Sequence, residues 1–115
     1  MAVTDCGLQG DKYARPGRRR QVLFTEQEIL DEFLLPPGAL AEQITVAGIS
    51  LRALAPSARL RVGAAVLEVI GDCQPCAKMN RLGEGMMELL RGKRGALARV
   101  IEGGEIRRGD LCACI

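Results

Sequence analysis

The chain has 115 residues, 48% of them hydrophobic and 26% charged, the balance of one ordinary globular domain, which excludes disordered and fibrous classes. Its 16 basic and 14 acidic residues leave a net charge of +2, too small to direct it to nucleic acid or an anionic membrane; an aromatic content of 3% also removes the stacking surface that RNA-binding and single-strand-binding modules need. Histidine is absent, which excludes Ser/His and Cys/His catalytic pairs and every zinc site that uses imidazole.

The opening "MAVTDCGLQGDKYARPG" has no continuous apolar stretch and meets glycine and charge early. It reads as neither a secretory signal nor a membrane anchor, and a cytoplasmic location is expected. In a reducing compartment five cysteines are better read as thiols than as a disulfide framework. Short runs rich in Val, Ile and Leu then recur between glycines and prolines: "RQVLFT" (20–25), "EQITVAG" (42–48), "ARLRVG" (58–63), "AAVLEVI" (64–70), "ALARVI" (96–101) and "DLCACI" (110–115). These are strand-like in length and composition. Two segments read as helix. In "TEQEILDEFLL" (25–35) Thr25 is the expected N-cap with Glu28 at capping-box spacing, and Pro36 and Pro37 stop the turn. "EGMMELLRG" (84–92) groups Met86, Met87, Leu89 and Leu90 on one broad face, with Gly92 as C-cap. "LRVGAAVLEV" and "IRRGDLCACI" each suggest a strand, a tight turn and a second strand. The expectation is one mainly β domain over 1–115, a barrel or sandwich with two short helices.

The cysteines are the candidate chemistry. "GDCQPCAKMN" (71–80) places Cys73 and Cys76 two residues apart after the most apolar run. A thioredoxin-like pair is one reading, but no proline follows Pro75 to pack against the sulfurs, and tryptophan is absent. A zinc site built from Cys73, Cys76, Cys112 and Cys114 has enough thiolates. However, residues two apart on a strand sit about 7 Å apart, which leaves "CAC" little slack to aim both sulfurs at one ion. Cys112 and Cys114 are instead read as small buried hydrophobes on the same side of a terminal strand. The remaining reading is one reactive thiol: after Pro75, Cys76 can sit in a loop or first helical turn where free main-chain N–H groups and Lys78 favour the thiolate. A Cys76 that is merely buried is the alternative.

"GLQGDKYA" (7–14), "AEQITVAGISL" (41–51), "LRVGAAVLEVIGDCQPC" (60–76) and "GKRGALARVIEGGEIRRGD" (92–110) together resemble the MOSC domain, the module at the C-terminus of molybdenum cofactor sulfurases. The most specific elements are the strand leading to Pro75-Cys76 and the ending "GGEIRRGD"; the CxPC form is similar to that of small stand-alone members. The resemblance implies a bent, barrel-like mixed sheet with a few helices. It also implies that Cys76 carries sulfur as a persulfide or contacts the molybdenum of a bound pterin, with Cys73 as an auxiliary thiol. Three departures stand out. Lys12 and Tyr13 occupy the place of the family's Arg-His, Glu42-Gln43-Ile44 replaces Glu-Asn-Leu, and the strand that most members carry before "GLQGD" is not legible, so the expectation is a domain without it.

The basic stretch "KYARPGRRR", with Lys12, Tyr13, Arg18, Arg19 and Arg20, is a candidate for phosphate or pterin contacts, since arginine grips phosphate bidentately; Lys78 and Arg94 flank the cysteines and join it. Arg81, Lys93 and Arg99 are weaker candidates, and Asp11 and Asp110 are expected to cap turns. The resemblance implies either sulfur transfer or a reductase component dependent on the cofactor. A cysteine desulfurase-type protein with its own pyridoxal phosphate would be the sulfur donor, and a molybdenum-cofactor enzyme the acceptor. The rival expectation is a small non-catalytic β-barrel binding module with buried cysteines; a CxxC thiol-disulfide protein is the third.

Overall fold

A computed structural model describes residues 1–11, 17, 21–75 and 77–115. Among them β1 (Ala2–Val3) and β2 (Gly7–Leu8) form a small antiparallel pair. A six-stranded sheet follows, built from β3 (Val22–Glu26), β4 (Ile44–Val46), β5 (Arg59–Val62), β6 (Ala65–Asp72), β7 (Ala96–Glu102) and β8 (Cys112–Cys114). The helices are α1 (Gln27–Glu32) and α2 (Met86–Leu89), with 3-10 turns at Leu51–Ala53 and Ala77–Leu82. The strand order is β4-β3-β7-β6-β5-β8. Every neighbouring pair is antiparallel except β3–β4, which is parallel. The sheet curls into a nearly closed barrel, the mainly β fold expected.

Alternation explains the strands. β5 reads exposed-buried-exposed-buried, with Leu60 and Val62 inward, the period of a half-buried strand. β3 is buried on both faces, which is why "VLFT" reads as an unbroken apolar run. In β6 the register slips between Val66 and Leu67 and again between Val69 and Gly71; such bulges bend a strand and let a sheet curl. The barrel core gathers Val22, Phe24, Leu60, Leu67, Val69 and Val100 with their neighbours. Close backbone approach explains the glycine pair of "GGEIRRGD": a Cβ on Gly104 would strike the Ala64 carbonyl, and one on Gly103 the Ala2 carbonyl.

Phe24 and Asp72 both stand opposite Ala96, so the ends of β3 and β6 and the start of β7 lie together. The segments leaving that end, α1, the 77–82 turn and α2, meet in a second apolar cluster of Ile29, Leu30, Leu40, Met79, Met86 and Leu90. None of the described helices is long and apolar enough to cross a membrane.

Three expectations change. Thr25 does not cap α1: it lies within β3, fully buried, and its Oγ1 donates to the Arg94 carbonyl at 2.9 Å. The N-cap is Glu26, with no side-chain capping bond. "IRRGDLCACI" is not a hairpin. Residues 105–111 form a loop whose Asp110 accepts from the Arg107 N–H at 2.7 Å, as a turn-capping carboxylate should, and β8 pairs instead with β5. Cys112 and Cys114 share one side of β8 as expected, but they are not both buried, because β8 is an edge: Cys112 is half-buried and Cys114 exposed.

Glu28, freed from capping, accepts from the Gly48 N–H at 2.9 Å, and this bond chiefly holds its carboxyl below the usual carboxylate range. A lowered value means that the stabilisation is present above the ordinary Glu range and lost as pH falls through the folded value. Glu28→Gln should therefore be less stable than wild type at neutral pH in urea unfolding, with the gap closing on acidification.

Candidate functional site

The cysteine segment leaves β6 at Asp72 and is moored at once. The Cys73 N–H donates to the Gly95 carbonyl at 2.9 Å, which prolongs the β6–β7 pairing by one residue. Cys73 is 3% exposed, and its Sγ lies 3.9 Å from the Gln74 carbonyl, a weak thiol contact. Pro75 is buried. On the far side of position 76 the 77–82 turn carries Met79 into the second cluster and leaves Lys78 exposed. Both flanks of the expected reactive residue are thus tied into the fold.

Arg94 supplies the strongest tie. It is 6% exposed; its Nη1 donates to the Gln74 carbonyl at 3.2 Å, and its Nη2 and Nε to the Leu40 carbonyl at 3.2 and 3.4 Å. One rigid guanidinium fork therefore clamps the cysteine segment to the 38–41 loop. That loop is held in turn by Glu42, whose carboxylate accepts from the Gly38 N–H at 2.9 Å and the Leu40 N–H at 3.2 Å. Gln43 extends the tie to the barrel, with Oε1 accepting from the Leu23 N–H at 2.7 Å. The structure gives Arg94 and the Glu42-Gln43 pair clear positioning tasks that sequence reasoning missed. The available signal was a basic residue directly before a glycine at the start of a strand.

Of the residues singled out by sequence, Cys73 and Arg94 come together, joined through the Gln74 carbonyl, and Lys78 stands on the following turn. Cys76, Lys12, Tyr13, Arg18, Arg19 and Arg20 lie outside the described residues. Lys93 is paired with Glu32 at 3.1 Å and sits 5.3 Å over the Phe33 ring. Arg99 is paired with Glu68 at 3.3 Å. These two cations brace the surface of the fold.

A cleft of about 610 Å³ opens elsewhere, across the seam between the two edge strands. Gln43, Ile44, Thr45, Val46 and Ala47 line it from the β4 side, and residues 106–112 from the β8 side, ending on Cys112. Cys73 is not among its described walls.

Comparison with known proteins follows the same outline. The MOSC domain family matches residues 15–112. No curated protein matches the chain. Among solved structures, a hypothetical protein is 25% identical with a TM-score of 0.80, covering 97% of this chain and 59% of its own. YiiM from Escherichia coli is 23% identical with a TM-score of 0.77, covering 98% of this chain and 60% of its own. YiiM from Geobacillus stearothermophilus is 21% identical with a TM-score of 0.73, covering 86% and 56%. The chain thus spans about three fifths of the length of these structures and shares their fold. With the family match running from before β3 into β8, through the moored cysteine segment and the closing glycine pair, the chain belongs to the MOSC domain family.

Proposed function

We propose that this domain acts through Cys76, as a soft thiolate that carries sulfur as a persulfide or ligates the molybdenum of a pterin cofactor. The observation that carries the reading is the mooring of residues 73–75. A segment held by the Gly95 carbonyl, by the Arg94 fork and by the buried Pro75 presents its next residue from a rigid base, which lowers the entropy cost of orienting a nucleophile. Lys78, exposed on the adjoining turn, adds a cation that favours thiolate over thiol.

As a carrier, the Cys76 thiolate attacks the outer sulfur of a donor persulfide. A new S–S bond forms on Cys76, the donor's S–S bond breaks, and the donor leaves as a thiolate, with no net redox change. The donor fits a cysteine desulfurase-type protein and the acceptor a molybdenum-cofactor enzyme. The residues present suit the pterin reading in their donor chemistry: thiolate is a soft ligand, and Lys78 is exposed, where it can meet a phosphate. Arg94, spent on two carbonyls, positions the segment, and phosphate contacts would fall to Lys78 with Lys12, Arg18, Arg19 and Arg20. A bound pterin would supply the redox-active metal itself.

The test is anaerobic purification of wild type and Cys76→Ser, followed by molybdenum analysis, pterin fluorescence and persulfide mass. At least one of the three should be present in wild type and lost in the variant, and Cys76 should be alkylated fast near neutral pH. Slow labelling of every cysteine, with none of the three signals depending on Cys76, would make the domain a binding module instead.

A further inference from the structure

The second thiol pair, Cys112 and Cys114, has a different setting from the first. β8 pairs with β5 so that Val62 stands opposite Cys112 and Leu60 opposite Cys114. Residues directly opposed in an antiparallel pair project to the same face. Leu60 and Val62 point into the barrel, so both thiols project to that same inner face while Ala113, opposite Arg61, points out. Cys112 packs against the barrel core and lines the seam cleft, and Cys114 beside it is exposed. Both are free thiols. Two sulfurs on one face of an open edge, one anchored and one reachable from solvent, form a bidentate soft donor.

The backbone selects what such a pair can hold. Residues two apart on a strand are about 7 Å apart at Cα, at or beyond the upper end of the range of about 4.4–6.8 Å that disulfides span, so extended β8 opposes a direct S–S bond. An ion bridging two sulfurs spans a longer gap than that bond does. No group of three or more Cys, Asp or Glu among the described residues could hold a metal, and Asp110, the nearest side-chain carboxylate along the chain, holds the Arg107 N–H with one oxygen. Among the described residues a tetrahedral ion such as zinc therefore lacks a full ligand set, whereas a soft monovalent ion that accepts two thiolates does not.

We propose that Cys112 and Cys114 form a two-thiolate site for a soft monovalent metal ion of the Cu(I) class at the barrel seam, independent of Cys76. Binding breaks two S–H bonds, forms two metal–sulfur bonds and releases two protons, with no change of oxidation state. Burial, and next the neighbouring Cys114, push the Cys112 thiol up.

The test is anaerobic titration with Cu(I) supplied as its bicinchoninate complex, read by loss of that complex's colour. Wild type should withdraw about one equivalent at this site, and a Cys73→Ser/Cys76→Ser variant should keep that step. Cys112→Ser and Cys114→Ser should each lose it, with unchanged circular dichroism; Cys114, being exposed, decides the matter if the Cys112 variant folds poorly. Persistence of the step in Cys114→Ser, its disappearance from the Cys73/Cys76 variant, or no withdrawal by wild type would overturn the proposal.

Discussion

Arg94→Met is expected to lower unfolding stability by about 2–4 kcal/mol, the range for leaving one buried and one part-buried carbonyl without this donor and losing charge-assisted bonds. The carbonyls are those of Leu40 and Gln74, and methionine fills much of the space without offering an N–H. Urea unfolding should show the loss as a lower midpoint at an unchanged slope. Arg94→Lys should recover only part, because a single ammonium cannot reproduce the planar fork that reaches both segments. On the function proposed above, the same variants should slow alkylation of Cys76 relative to wild type under native conditions, since the mooring of residues 73–75 is loosened. Unchanged stability in Arg94→Met would show that the clamp contributes nothing.

Gly95→Ala should have an effect at least as large, about 3–5 kcal/mol, in the range of severe backbone substitutions. Gly95 has φ 141, a region almost closed to residues with a side chain. A Cβ there would collide with the Phe24 carbonyl and crowd the Thr25 hydroxyl at 3.2 Å. Neither can retreat: Phe24 is paired on both sides within the sheet, and Thr25 is bonded to the Arg94 carbonyl. Gly71→Ala is the matched control, for a Cβ there meets nothing within 4 Å, and it should be neutral or slightly stabilising. Thermal or urea unfolding of both variants, side by side, separates the steric effect from the general cost of changing a glycine near the cysteines.

The six strands of the barrel were legible because their Val, Ile and Leu alternate or run unbroken between glycines, which is what burial on one or both faces requires. Their partners were less so. β4 joins β3 in parallel, and Gln43, whose amide bonds the Leu23 N–H, sets that edge through one side chain with no local pattern around it. Thr25 looked like a helix cap because its spacing to Glu28 is right, yet long-range burial against Arg94 claimed its hydroxyl. Arg94 read as a phosphate or pterin contact beside the cysteines; its burial and its bonds to the Leu40 and Gln74 carbonyls arise from packing against segments 54 and 20 residues away, which no local pattern encodes. β1 and β2, at two residues each, are too short for any periodicity. Cys112 and Cys114 were placed on the right face, but their exposure depends on β8 being the last strand of an unclosed sheet, a property of topology rather than of composition. The MOSC resemblance was legible in its motifs, and the mooring around Cys73 supplies a physical reason why the cysteine is preceded by proline and followed by a helical turn.

The pairing of β3 with β7 also dictates an order of events. Gln21, at the threshold of β3, binds the main chain of Val100, 79 residues away, and Phe24 has Ala96 as one of its strand partners. During synthesis the apolar face of β3 therefore stays without its main partner until nearly the whole domain has left the ribosome. The β5–β6 hairpin can form early, but the loop between β3 and β7 must be closed against chain entropy before either strand gains anything. This domain should consequently fold late and in one cooperative step, and a ribosome-stalled chain ending before β7 should remain sensitive to protease across β3.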